Sequence, residues 1–207
     1  IFLPDIKFYD GRPGFNATDA LERGSQKLID MGIADPDRIA IQGHSWGGYE
    51  AAFIVTQTDM FAAACAGAPV SNMTSAYGGI RLGTGLARQF QYEMWQSRIG
   101  GNLWDSLDTY IGNSPLFGVP RIKTPLLIMF GDEDEAVPWQ QGIELYLGMR
   151  RLSKAVWMLQ YRGEPHHPRK YWNKLDYAIK MKEFFDHYLL GAPEPAWMQE
   201  GVKYWKE

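Results

Sequence analysis

Residues 41–49 read Ile-Gln-Gly-His-Ser-Trp-Gly-Gly-Tyr and lie between an apolar run and a helix-like run. Three glycines crowd around one serine where a strand gives way to a helix. A serine at so tight a strand-to-helix turn has a strained backbone, so its neighbours two before and two after, Gly43 and Gly47, must lack bulk. Gly48 lets the following helix approach closely. Such a turn lifts the Ser45 hydroxyl out of the sheet, and the helix N-terminus behind it offers the Trp46 N–H to a developing negative charge. The pattern G-x-S-x-G alone arises by chance about once in ten to twenty chains of this length. Its position between a strand and a helix is therefore what carries the signal.

Outward from that turn, short β-rich runs alternate with longer helical patterns. "IFLPDIKFY" at the start is read as a strand broken by the turn composition "DGRPG". Over residues 16–31, Ala20, Leu21, Leu28 and Ile29 recur at helical spacing, with Asn16 or Thr18 as the N-cap. Residues 38–42 form a buried strand, the run after Ser45 a helix, and "MFAAACAGA" the next strand. Residues 70–120 are irregular, with helical pieces around "GLARQFQYEMWQ" and a turn of helix near "LWDSLDTYI". "TPLLIMFGD" is a fully apolar strand, "WQQGIELYLGMRRLS" a helix and "AVWMLQY" another strand. The last long helix covers roughly residues 170–190, with Tyr171, Leu175, Ile179 and Phe184 or Phe185 spaced for one buried face. Strands that are apolar on both faces and alternate with helices predict a mostly parallel sheet covered on both sides, an α/β fold.

The 207 residues suffice for one sizeable core. A formal charge of −3 gives no broad attraction to nucleic acid or anionic lipid, and no apolar run approaches the ~18–20 residues a membrane span needs. Cys65 is the only cysteine, so neither an internal disulfide nor a thiolate metal site can be built. The eight tryptophans, Trp95, Trp104 and Trp139 among them, are expected to pack residues 70–120 against the core. Arg81 and Arg88 are expected in solvent, with contact to a substrate carboxylate as the alternative, and "GAPEPAWMQEG" as a proline-stiffened tail on the surface.

A serine nucleophile needs a base, and there are four histidines. His44 sits inside the turn, where its ring is expected to point away from the hydroxyl. His187 falls within the last helix. His166 and His167 remain, in the loop "YRGEPHHPRK" after the last strand. Adjacent histidines diverge and no third ligand sits at useful spacing, which argues against a metal there. A base needs an orienting carboxylate, and the acidic loop "FGDEDEAVPW" follows the strand "LLIMF". Serine, then acid, then histidine, each at the C-terminal edge of a strand, is the chain order of the α/β-hydrolases.

"GHSWGGY", "AGAPVSNMTSAYGG", "SPLF" before "TPLLIMFGDEDEAVPWQQG", and "GEPHH" before the final helix together resemble the prolyl oligopeptidase family of serine peptidases, across essentially all of residues 1–207. That resemblance implies an α/β-hydrolase catalytic domain with Ser45 as nucleophile, Asp134 as acid and His166 as base. Asp132 is the second choice for the acid, and His167 the alternative base. It also implies that Val70 and Tyr77, with Met73 nearby, line the apolar pocket before the scissile bond. Val137, in the G-x-x-D-x-x-V-P motif, joins the substrate-binding set. Ala136 stands where several members carry an Arg or Asn that contacts a substrate carbonyl, so that contact is missing.

The family's second oxyanion donor, a tyrosine hydroxyl, comes from a loop upstream of the nucleophile strand and would precede Ile1. So would its β-propeller and a strand that normally pairs with the nucleophile strand. The expectation is therefore a C-terminal portion of a longer polypeptide, with the missing N-terminal portion as its partner. The implied reaction is hydrolysis of peptide bonds in short peptides through an acyl-enzyme, with no cofactor or metal. The alternatives are an esterase or other acyl hydrolase with the same three residues, or a catalytically incomplete fragment. Compartment and oligomeric state are not read from these residues.

Overall fold

The computed structural model describes residues 1–201. In chain order it runs α1 (Pro13–Asp30), β1 (Ala40–His44), α2 (Trp46–Ile54), β2 (Ala63–Gly67) and α3 (Met73–Tyr77). A hairpin of β3 (Ile80–Arg81) and β4 (Leu86–Ala87) follows, then α4 (Gln89–Glu93), α5 (Leu107–Gly112), α6 (Pro115–Gly118) and a 3₁₀ turn at Val119–Arg121. The chain continues through β5 (Leu126–Gly131), α7 (Gln140–Arg151), β6 (Val156–Tyr161), α8 (Tyr171–Leu190) and α9 (Ala196–Glu200).

Four strands form one parallel sheet in the order β1-β2-β5-β6. The pairs His44↔Gly67, Gly67↔Met129 and Gly131↔Tyr161 bring the C-terminal ends of all four strands to one edge. Both faces of the sheet are covered. Ile41, Ala64, Ala66, Leu126, Ile128, Phe130 and Val156 point into a core shared with α1, α2 and α7. The alternate residues Ala63, Cys65, Leu127, Met129, Leu159 and Tyr161 face α8 and α9 on the other side. This two-sided burial explains why the strands read as near-continuous apolar runs rather than alternating ones.

Several local expectations are corrected. Residues 1–9 carry no strand; they run as largely exposed coil, with Ile6 packed on the core and the Phe2 ring close to Gly24 of α1. The first helix begins at Pro13, where a missing N–H costs nothing, rather than at Asn16 or Thr18. Those two side chains sit inside the helix instead: the Asn16 amide donates to the Tyr9 carbonyl (2.8 Å) and the Thr18 hydroxyl to the Gly14 carbonyl (2.9 Å). On α8, Tyr171, Leu175 and Ile179 are exposed, and the packed stripe is Tyr177, Met181, Phe184 and Tyr188. Both sets have helical spacing, so periodicity could not decide which faced the sheet.

Residues 195–201 are not a plain tail either, because α9 inserts Met198 beneath the sheet and Trp157 Nε1 donates to its carbonyl at 2.8 Å. Trp95 and Trp104 are 70% and 79% exposed rather than packed into the core as expected, Trp104 touching it only edge-on at the Tyr77 ring; Trp139 does lie against the core. Arg88, expected in solvent, is 1% exposed.

Candidate active site

Ser45, Asp134 and His166 lie one, three and five residues beyond the ends of β1, β5 and β6. The parallel register therefore delivers all three to the same edge. Ser45 has φ 59° and ψ −117°, a left-handed conformation that L side chains rarely adopt. Its N–H donates to the Gly67 carbonyl at 2.8 Å, which ties the turn to the neighbouring strand. The glycines divide in their roles. A Cβ on Gly43 would lie 2.1 Å from the Gly47 carbonyl oxygen, and one on Gly48 would lie 2.2 Å from that of Gly67. A Cβ on Gly47 meets nothing within 4 Å, so Gly47 is not the residue that sterics demand here.

The His166 ring is held from both sides. Its Nδ1 is 2.7 Å from Asp134 Oδ2, and its Nε2 is 2.7 Å from Ser45 Oγ. Asp134 is buried, and its other oxygen accepts the Ala136 and Val137 N–H groups, each at 2.8 Å. With one oxygen committed to the backbone, the second is fixed on the imidazole and keeps the proton on Nδ1. The loop carrying the histidine is clamped as well. The His166 N–H donates to Glu135 Oε2 at 3.1 Å, and Glu135's own N–H, seconded by this donor, holds that carboxyl below its ordinary range. Gly131 lets the two loops cross, since a Cβ there would sit 2.0 Å from the Glu164 carbonyl oxygen.

Glu164, fully buried, accepts the Arg169 N–H (2.6 Å), the Lys170 N–H (3.1 Å) and the Asn173 amide (2.6 Å), and so fastens the loop to the start of α8. Burial pushes its pKa up, but these donors outweigh that effect and hold it below the ordinary value. Asp132 serves elsewhere: it accepts the Gly163 N–H (2.6 Å) and the Gln160 amide (3.0 Å), bracing the ends of β5 and β6.

Trp46 begins α2, so its N–H has no partner within the helix and stands beside the serine hydroxyl's own residue. Val137 contributes its N–H to Asp134 and packs its side chain in the core. Val70 and Tyr77 are each 3% exposed core residues. The Tyr77 hydroxyl donates to Glu93 (2.5 Å), and its ring packs on Tyr92, Trp104 and Tyr110.

Sequence reasoning missed two contributors. Arg88 reaches from α4's N-cap to donate to the Ala136 carbonyl and to Tyr92 Oη (3.0 Å), bracing the acid loop from within; nothing in its local pattern marks it. His44 lies with its ring centroid 5.0 Å from that of His166 and 4.6 Å from that of His167. Burial, reinforced by the two neighbouring imidazoles, lowers its pKa to about 4, so it is neutral. The third imidazole that spacing did not supply is thus brought in by the fold.

A model of the prolyl oligopeptidase family matches residues 7–192. An uncharacterized peptidase, YuxL, from Bacillus subtilis is 29% identical over 162 residues, covering 75% of this chain and 23% of the relative. The acylamino-acid-releasing enzyme of Rattus norvegicus is 29% identical over 174 residues, 76% of this chain and 23% of its own length. Among solved structures, a puromycin-hydrolyzing peptidase of Mycobacterium tuberculosis superposes with a TM-score of 0.78 at 27% identity, over 86% of this chain and 26% of that one. The acylaminoacyl peptidase of Pyrococcus horikoshii gives 0.79 at 25% identity, over 94% of this chain and 31% of that one. The chain thus spans about a quarter of the length of the curated relatives it matches. With an α/β-hydrolase sheet, and a family match that runs through the nucleophile turn and both loops, this chain belongs to the prolyl oligopeptidase family.

Proposed function

We propose that this chain carries the acyl-transfer centre of a serine peptidase acting on short peptides, with Ser45 as nucleophile, His166 as general base and then acid, and Asp134 as the residue that orients it. The observation that carries the reading is the unbroken path Asp134 Oδ2–His166 Nδ1 and His166 Nε2–Ser45 Oγ, both 2.7 Å. His166 Nε2 takes the hydroxyl proton as Ser45 Oγ attacks the peptide carbonyl carbon. Asp134 stabilises the imidazolium that forms. The Trp46 N–H binds the oxyanion, and a second donor comes from polypeptide outside these residues, as the greater length of the relatives allows. The C–N bond breaks as the amine leaves with the proton from His166. Water then repeats the cycle and releases the acid.

Val70, Tyr77 and Val137 are proposed to shape the wall that receives the acyl side chain. The names of the relatives, peptidases and acylamino-acid-releasing enzymes, favour peptide over simple ester substrates. The expected outcome is fluorophosphonate labelling of Ser45 in the full-length protein, and a loss of peptide-amide turnover of roughly 10⁴-fold in Ser45→Ala. Near-normal turnover in that variant removes the nucleophile assignment. Aryl-ester turnover with no peptide-amide turnover would redirect the reading to an esterase.

A further inference from the structure

We propose that His44, His166 and His167 form a reversible inhibitory site for a divalent transition-metal ion such as Zn²⁺. One ring nitrogen from each of the three lies within 4.8 Å of the others. The ring centroids are 5.0 Å (His44–His166), 4.6 Å (His44–His167) and 4.8 Å (His166–His167) apart. Three imidazoles sharing one ion at nitrogen–metal distances of about 2.0–2.1 Å set their centroids about 5 Å apart, so the rings already stand at the spacing a shared ion imposes. The nitrogens themselves must close in by up to about 1.5 Å, and exposed His167 is placed to supply that movement.

A second observation points the same way. His44 Nε2 is a buried side-chain nitrogen with no hydrogen-bond partner among the described residues. A buried polar atom without a partner is costly, and a metal bond offsets that cost. A cavity of about 370 Å³ opens beside the cluster, lined by His44, His167, Gln42 and Met129, and gives an ion and its remaining waters a way in. Lys174 is the only charged group among its lining residues, and its positive charge weakens the binding of a cation there.

The inhibitory consequence rests on the peptidase reading above. Both His166 nitrogens are engaged, Nδ1 by Asp134 and Nε2 by Ser45. With the proton on Nδ1, the free lone pair is on Nε2. The metal takes that pair without releasing a proton, and the Ser45 hydroxyl loses its acceptor. The ion therefore occupies the base itself, with no need to block the cleft.

The test titrates ZnCl₂ into the full-length protein in a non-chelating buffer, following both calorimetric binding and fluorophosphonate labelling of Ser45. Half-maximal binding and half-maximal loss of labelling are expected together, at on the order of 1–10 μM zinc, with recovery on adding EDTA. His167→Ala, at an exposed position, keeps its metal-free labelling and shifts both midpoints upward by at least about tenfold; His44→Gln shifts binding in the same direction. Co²⁺ added in place of zinc gives visible absorption bands that His167→Ala abolishes. Unchanged midpoints in both variants, or no binding at about 100 μM zinc, overturn the site. Because calorimetry and the Co²⁺ spectrum need no substrate, a protein that binds metal but hydrolyses nothing fails the peptidase reading alone. One that hydrolyses peptides yet ignores zinc fails this inference alone.

Discussion

At the scale of single residues, the nucleophile turn is a set of close approaches between backbone atoms. Ser45 holds its strained φ because Gly43 admits the Gly47 carbonyl and Gly48 admits that of Gly67. Gly43→Ala forces a Cβ into a backbone atom that cannot swing away. It is expected to destabilise the protein by about 2–3 kcal/mol or more and to abolish fluorophosphonate labelling. Gly47→Ala makes the opposite prediction. It lies inside α2 with open space around it, so the alanine should leave stability unchanged or raise it by about 0.5–1 kcal/mol through helix propensity. Denaturant melts of the two variants side by side check the pair; equal losses would show that the turn tolerates neither. The pattern G-x-S-x-G was legible as a turn, but which of its glycines sterics require depends on where a neighbouring strand and the next helical turn pass.

At the scale of elements, α8 carries two stripes that sequence periodicity cannot rank. Tyr171, Leu175 and Ile179 repeat every four residues, and so do Tyr177 and Met181, with Phe184 and Tyr188 continuing the second stripe. The sheet chose the second: Phe184 is fully buried against Trp157 and Tyr188, whereas Ile179 is 48% exposed. Phe184→Ala should therefore cost about 3–5 kcal/mol through lost transfer energy and the cavity left behind. Ile179→Ala should stay within about 0.5 kcal/mol. Urea unfolding midpoints report both, and comparable losses would mean that α8 rotates its other face inward. Within residues 70–120 the sequence marked the helical pieces that form α4 and α5, but not the other short elements. The helices α3 and α6 carry too few turns for a period, and a buried cation such as Arg88 is acceptable only because Ala136 and Tyr92 meet its guanidinium in space.

For the whole molecule, the pH dependence of stability is set in part by Glu50, half-buried on α2. Burial lifts its pKa to about 7, against an opposing hydrogen bond from the Trp46 indole. The folded pKa exceeds the unfolded one, so the folded state holds the proton that the unfolded chain releases. This contribution is fully present below about pH 4.5 and is lost as pH rises through about 7. Glu50→Gln should therefore stabilise the protein near pH 8 by about 1–3 kcal/mol and change little near pH 5. Thermal melts at the two pH values test the sign; the same shift at both would leave the carboxyl without a role in the pH profile.

By itself, the sequence determined the kind of molecule this is. Two-faced apolar strands alternating with helices require a covered parallel sheet, because such strands lose apolar burial if either face is left to water. The order serine, acid, histidine then places each group just after a strand end, and parallel strands all end at one edge. Only the tertiary structure decided which atoms meet there. It left Asp132 bracing the strand ends and turned Asp134 onto the ring, and it put His166 rather than His167 against Ser45. It also drew His44 into a cluster of three imidazoles. The reason is reach: local patterning acts over a few residues, whereas these contacts join positions up to 121 residues apart and exist only once the sheet register has closed the distance.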